Sequence, residues 1–243
     1  MGADQNLDWQ RLAASALDWW RDAGVDVLVE DQARDWLAEP AAPVPLAKIQ
    51  ASAPVAAAPA VLPATIEAFL TWRIGEAAPE TGWHGVQIAA SGPATANLMV
   101  LVDCPEADDR ECLLQGRAGK LFDRMLTAIG HSRADVHLAA VCCRRPIAGR
   151  MPRDTEAQLH EIARHHVALV APRRLLALGN AASRAVGGTD VPSERGRLRP
   201  LNHKGGKATE VATSWHPRSL IDRPQLKADA WRDLQMLVEG LSQ

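Results

Sequence analysis

The sequence predicts an α/β domain: a parallel β-sheet of about four strands flanked by helices, with a small helical N-terminal extension. Three observations predict it. Four apolar, β-rich runs occur: NLMVLV at 97–102, DVHLAAV at 135–141, RRLLAL at 173–178 and ATEVATS at 208–214. Helical patterns separate them, at 116–130, 153–171 and 180–187. Strands that alternate with helices pair in parallel, because each crossover helix returns the chain to the same end of the sheet. Polar, Gly or Pro residues follow each run, from Asp103, Cys142, Gly179 and Trp215. Loops leaving the carboxyl ends of parallel strands are where such folds collect working residues.

Taken in order, residues 1–38 form a Trp-rich helical extension carrying Trp9, Trp19, Trp20 and Trp36. Leu12, Leu17 and Trp20 recur at helical spacing and Gly24 follows as a stop signal. A second short helix over 30–38 would make a hairpin, either self-packed or docked on a protein partner. Residues 39–63 are Ala/Pro-rich and too poor in other side chains to bury a core, so they read as a linker. The domain then occupies 64–243. A helix is expected over 64–76 and a long loop over 77–96. Asp154 and Thr155, with Gln158 three residues beyond Thr155, supply a capping signature for the 153–171 helix. A last helix spans about 224–241 after Pro224.

Charge is uneven. The whole chain is formally −2, but residues 1–62 hold nine acids against four bases, and residues 195–223 hold seven bases against two acids. The basic stretch is either a phosphate-contacting surface or an ordinary solvated face. The four cysteines, Cys104, Cys112, Cys142 and Cys143, make no CxxC pair. No secretory leader and no apolar run near the ~18 residues of a membrane span is present, so the expectation is a cytoplasmic, monomeric protein with reduced thiols and no membrane association. No GxGxxG, P-loop or paired His/carboxylate set supports a nucleotide or metal hydrolase on the same sheet.

The motifs narrow this further. DCPEADD (103–109) follows the first strand and GRAGKLFDRMLTAIG (116–130) comes next. CCRRP (142–146) follows the second strand, LALGNAA (176–182) ends the third, and HPRSL (216–220) follows the fourth. In order and spacing, residues 64–241 resemble the family-4, iron–sulfur type of the uracil-DNA glycosylase superfamily. The resemblance implies a base flipped out of the DNA stack and a glycosidic bond broken with positive charge on the sugar and negative charge on the base. It places the first-loop carboxylate on Asp103 and the base-side donor on His216, the two catalytic candidates. It makes Cys104, Pro105, Leu114 and Ala139 base-pocket residues. Leu114 stands where the family stacks a Phe, Ala139 where it reads the base with an Asn, and Glu106 where it has a Gly.

For DNA contact the candidates are Gly116, Arg117, Gly119 and Lys120 at a helix entry, Arg144 and Arg145 after the second strand, and Pro217, Arg218 and Ser219 in the HP loop. The helix entry has close packing as its alternative reading, and the arginine loop a solvated surface. Of the four cysteine ligands the resemblance implies, only Cys143 matches; the others fall near Trp72 and Gly75 and at Leu159. A cluster needs four thiolates, so no iron–sulfur cluster and no other metal is expected. Two functions follow: a DNA-repair glycosylase hydrolysing the N-glycosidic bond of a flipped damaged base, or a DNA-binding or scaffold protein that kept the fold and lost the chemistry. DNA is the partner in both.

Overall fold

The structure, a computed structural model, describes residues 62–146, 151–203 and 208–239, with helical residues 14, 15 and 17–20. The rest of the expected extension and the linker up to residue 61 lie outside the described residues. The chain divides into two units, Met1–Pro59 and Ala60–Gln243, and the second carries the sheet.

Its elements run α1 (Ile66–Arg73), β1 (Leu98–Val102), α2 (Arg117–Ala128), β2 (Val136–Ala140), α3 (Arg153–Val170), β3 (Arg174–Leu178), α4 (Asn180–Gly187), α5 (Val191–Glu194), β4 (Leu198–Asn202), β5 (Ala208–Ser214), α6 (Pro217–Asp222), a 3₁₀ turn (Pro224–Leu226) and α7 (Lys227–Val238). The sheet order is β2-β1-β3-β5-β4. The four expected strands are parallel; β4 is antiparallel to β5 at the edge. Sequence reasoning missed β4 because LRPLN lacks an apolar run. Pro200 cannot donate to a ladder, which restricts such a strand to a sheet edge.

β1, β2 and β3 are buried along their whole length because both sheet faces are covered. Met99, Leu101, Leu175 and Ala177 point toward Phe69 of α1, Leu159 and Val167 of α3 and Ala182 of α4. Leu98, Val100, Leu176 and Leu178 point the other way, toward Phe122 and Leu126 of α2 and Leu234 and Leu237 of α7. The alternation is the period-2 pattern of the strands. The expected capping signature of α3 is not formed: α3 starts at Arg153 after Pro152 with no side-chain cap, and the Thr155 hydroxyl donates instead to the Pro152 carbonyl at 3.2 Å. Asp154 and Glu156 still occupy the first turn, where the helix dipole favours carboxylates.

Register aligns the working ends. Val102 pairs with both Ala140 and Leu178, and Leu178 pairs with Ser214. The four strands therefore end level, and the loops opening at Asp103, Val141, Gly179 and Trp215 leave side by side, about 4.8 Å apart from strand to strand.

Candidate active site

Asp103 leaves β1 beside Gly179, which leaves β3. Gly179 has φ +101, and a Cβ there would lie 2.5 Å from Asp103 Oδ2. Glycine thus lets the carboxylate reach across the sheet to the start of α4, where the Ala182 N–H donates to Oδ1 at 2.8 Å. Burial pushes the Asp103 carboxyl up to about 6, against the Ala182 hydrogen bond and the Arg218 charge, which both favour the anion. At neutral pH the group is a carboxylate, held by helix N–H groups and open to a cavity of about 660 Å³. Cys104, Cys142, Asn180, Arg153, Arg184 and Arg218 are among the cavity's other walls.

His216 leaves β5 and starts α6. Its Nδ1 accepts the Arg218 N–H at 3.2 Å, which places the ring proton on Nε2. Burial, then the charges of Arg218 and Arg145, pull the imidazole down to about 3, so it is neutral. Nε2 is buried, has no hydrogen-bond partner, and faces Glu106 Oε1 at 3.6 Å. Glu106 is itself held on several sides: Arg218 Nη1 donates to Oε1, Arg145 Nη1 lies 3.8 Å from Oε2, and its own N–H donates to Asp109 Oδ2 at 2.8 Å. The donor atom of His216 is therefore closed off by a carboxylate, and His216 is not part of the cavity wall that Asp103 lines.

The family model described as the uracil DNA glycosylase superfamily matches residues 89–235, from the approach to β1 into α7. The chain belongs to the uracil-DNA glycosylase superfamily. A type-4 uracil-DNA glycosylase of Pyrobaculum aerophilum is 26% identical over 164 residues, which is 63% of this chain and 82% of that protein. A type-4 uracil-DNA glycosylase of Archaeoglobus fulgidus is 27% identical over 131 residues, 51% of this chain and 65% of that protein. The matched span holds every strand end described above.

Within this superfamily member, the expected site residues divide. Asp103 and Cys104 line the cavity, and Pro105 lines a neighbouring hollow with Glu106 and Arg145. Leu114 and Ala139 do not come to the cavity wall. Leu114, at φ +58, turns its side chain into the core beside Phe122. Ala139 lies one residue inside the end of β2 and packs on the α1/α3 side of the sheet. Gly116 and Gly119 have packing reasons: a Cβ would strike the Asp108 carboxylate at the first and the Leu114 carbonyl at the second. The Asp108 carboxylate already lies beside the N-terminus of α2, where a phosphate was expected. Arg117 and Lys120 are exposed. Arg144 donates to the Gly85 carbonyl and to Gln87, and Arg145 to the Pro105 carbonyl. Pro217 is buried as the first residue of α6, and Ser219 is half-buried one turn from His216.

The sequence reading did not single out Asn180, Arg184, Glu156 and Asp190 as site residues. Arg184 is tied to Glu156 at 2.7 Å and Asp190 at 2.6 Å across the cavity wall. The available signal was the Gly179-Asn180 helix start after β3; nothing local to Glu156 or Asp190 marks either one.

The residues at the four positions implied for an iron–sulfur cluster do not fit one. Leu159 is wholly buried among apolar side chains and has no donor atom, which leaves Cys143 as the one thiol among these positions, where a cluster needs four. The space beside Cys143 is taken by a buried ion pair, Arg73 with Glu80. Arg73 Nη2 also donates to the Val141 carbonyl at 2.8 Å, and Glu80 Oε1 accepts the Cys143 N–H at 3.0 Å. Among the described residues no group of His, Cys, Asp and Glu is placed to hold a metal. We expect purified protein to be colourless and to carry no stoichiometric iron. A visible absorption band with iron in proportion to protein would contradict this.

Proposed function

We propose that this chain hydrolyses the N-glycosidic bond of a damaged base flipped out of DNA. The observation that carries the reading is Asp103, a carboxylate with a raised pKa in an arginine-lined cavity at the carboxyl end of a parallel sheet. Arg153 suits a phosphate that flanks an extruded nucleotide, whereas Arg184 and Arg218 are already paired with carboxylates. As the base leaves, Asp103 faces the positive charge growing on the sugar and orients the attacking water. His216 Nε2–H is the donor suited to the departing base anion, once Glu106 yields its place. The family membership supports base excision at the level of reaction class. The target lesion is a part of the proposal that a panel must name: oligonucleotides carrying uracil, hypoxanthine or xanthine, single- and double-stranded, scored for abasic sites. Abasic sites from none of them would defeat the reading.

Glu106 favours a second reading, a DNA-binding protein without base excision, because its carboxylate holds the position a base anion would need. Like charges ~4 Å apart at a protein surface repel by roughly 4 kcal/mol before neighbouring cations screen them, and Arg218 and Arg145 screen most of this. Glu106→Gln keeps the shape and removes the charge. We expect it to raise single-turnover base release by about tenfold on whichever lesion the wild type prefers. An unchanged or lower rate would show that Glu106 does not oppose the departing base.

A further inference from the structure

Beyond the cleft, Arg117, Lys120 and Arg124 recur on α2 at i, i+3 and i+7, so they form one stripe. Ala118, Phe122 and Leu126 face the core from the opposite side of the helix. Lys227, at the start of α7, completes a groove of about 410 Å³ with these three and with Leu121 and Ile221. All four cations are exposed, and none has an ion-pair partner among the described residues. The nearest acid on the helix, Asp123, is committed to Arg133 at 2.6 Å. The Asp108 carboxylate sits against Gly116 before the first turn, and no carboxylate lines the groove itself.

Four unneutralised cations over an apolar floor match the sugar–phosphate backbone of a nucleic acid. Phosphates meet the cations, and deoxyribose carbons cover Leu121 and Ile221. Length fits as well. At about 1.5 Å of rise per residue, Arg117 and Arg124 stand ~10 Å apart along α2, which is roughly three phosphates of one strand at about 3.4 Å each along the duplex axis. The groove is also next to the cleft. On α6, Arg218 lines the cavity and Ile221, three residues on and on the same face of the helix, lines the groove, so the two adjoin along α6.

We propose that this groove carries the DNA backbone flanking the nucleotide at the cleft, contacting about three phosphates. The inference rests on the reading that the cleft receives a nucleotide from DNA, and adds the surface along which the strand runs. The test uses the full chain and fluorescently labelled oligonucleotides, with affinity measured against salt. The triple variant Lys120→Ala/Arg124→Ala/Lys227→Ala alters only exposed side chains. We expect it to weaken low-salt binding by roughly 10- to 100-fold and to flatten the log–log salt slope by about two to three units, near 0.9 per phosphate lost. Arg153→Ala, in the cavity wall, should flatten it by no more than about one unit. If the triple variant keeps the wild-type slope while Arg153→Ala lowers affinity, the groove is not a DNA track and the cleft reading stands. If the triple variant keeps DNA binding but loses binding to poly-glutamate, the groove serves an acidic protein segment and the proposal fails. If the wild type binds no DNA even at low salt, both readings fall together.

Discussion

Asp103→Asn is expected to cut single-turnover base release by about 10²- to 10³-fold, the usual loss when one electrostatic or general-base group is removed. DNA affinity should stay within a few-fold, because Arg153, the cavity arginine proposed to meet phosphate, is untouched. The same substitution should leave stability at neutral pH unchanged or raise it. The sign follows from the raised pKa. A carboxyl whose folded-state pKa is about 6 holds its proton more tightly in the fold than in the unfolded chain, near 4. Its contribution is fully favourable below pH ~4 and is lost as pH rises through ~6. At neutral pH the buried charge therefore opposes folding, by up to about 3 kcal/mol for a shift of roughly two pKa units at about 1.4 kcal/mol each. Asparagine removes the charge and keeps an oxygen for the Ala182 N–H. If Asp103 were only a helix cap, asparagine would cap α4 as well and excision would not change. Loss of activity at equal or greater thermal stability is the pattern that separates the two roles.

The largest stability effect is expected at Glu80. The Arg73–Glu80 pair is almost wholly buried, with side chains 4% and 1% exposed. It joins the end of α1 to the loop after it and, through the Val141 carbonyl and the Cys143 N–H, to the end of β2. Glu80→Ala leaves a guanidinium in the interior with one carbonyl for a partner, and leaves the Cys143 N–H with none. Breaking a buried pair from one side costs about 3–5 kcal/mol, because the remaining charge stays desolvated. Replacing both partners, Arg73→Met with Glu80→Leu, removes both charges and should recover most of that loss. Chemical denaturation of the three proteins measures it. Asp123→Ala, which breaks the more exposed pair with Arg133, should cost less than about 1 kcal/mol. A Glu80→Ala penalty as small as that would contradict the assignment of the pair as the tie between these segments.

The parallel strands were legible because burial on both faces demands continuous apolar runs, and LMVLV or RLLAL leaves little choice. β4 was not legible, since an edge strand needs one covered face and LRPLN shows no period. Asp103 and His216 were legible as strand-end residues in a fold whose strand ends converge. What surrounds them was not. Glu106 and Arg218 are 112 residues apart in sequence, and no local pattern says that one will neutralise the other and close off His216. Leu114 and Ala139 were expected in the base pocket from their order along the chain. A left-handed backbone turn and the pleat of β2 nevertheless direct both side chains into the core. Gly179 looked like a helix start and is also a space requirement, visible only once β1 and β3 lie in register.

The pH profile of single-turnover base release tests the central claim most directly. With Asp103 acting as the carboxylate, the rate should rise about tenfold per pH unit below ~6 and level off above it, and Asp103→Asn should lack that inflection. A rate independent of pH across this range, or the same inflection in the asparagine variant, would contradict the claim that Asp103 acts on the glycosidic bond.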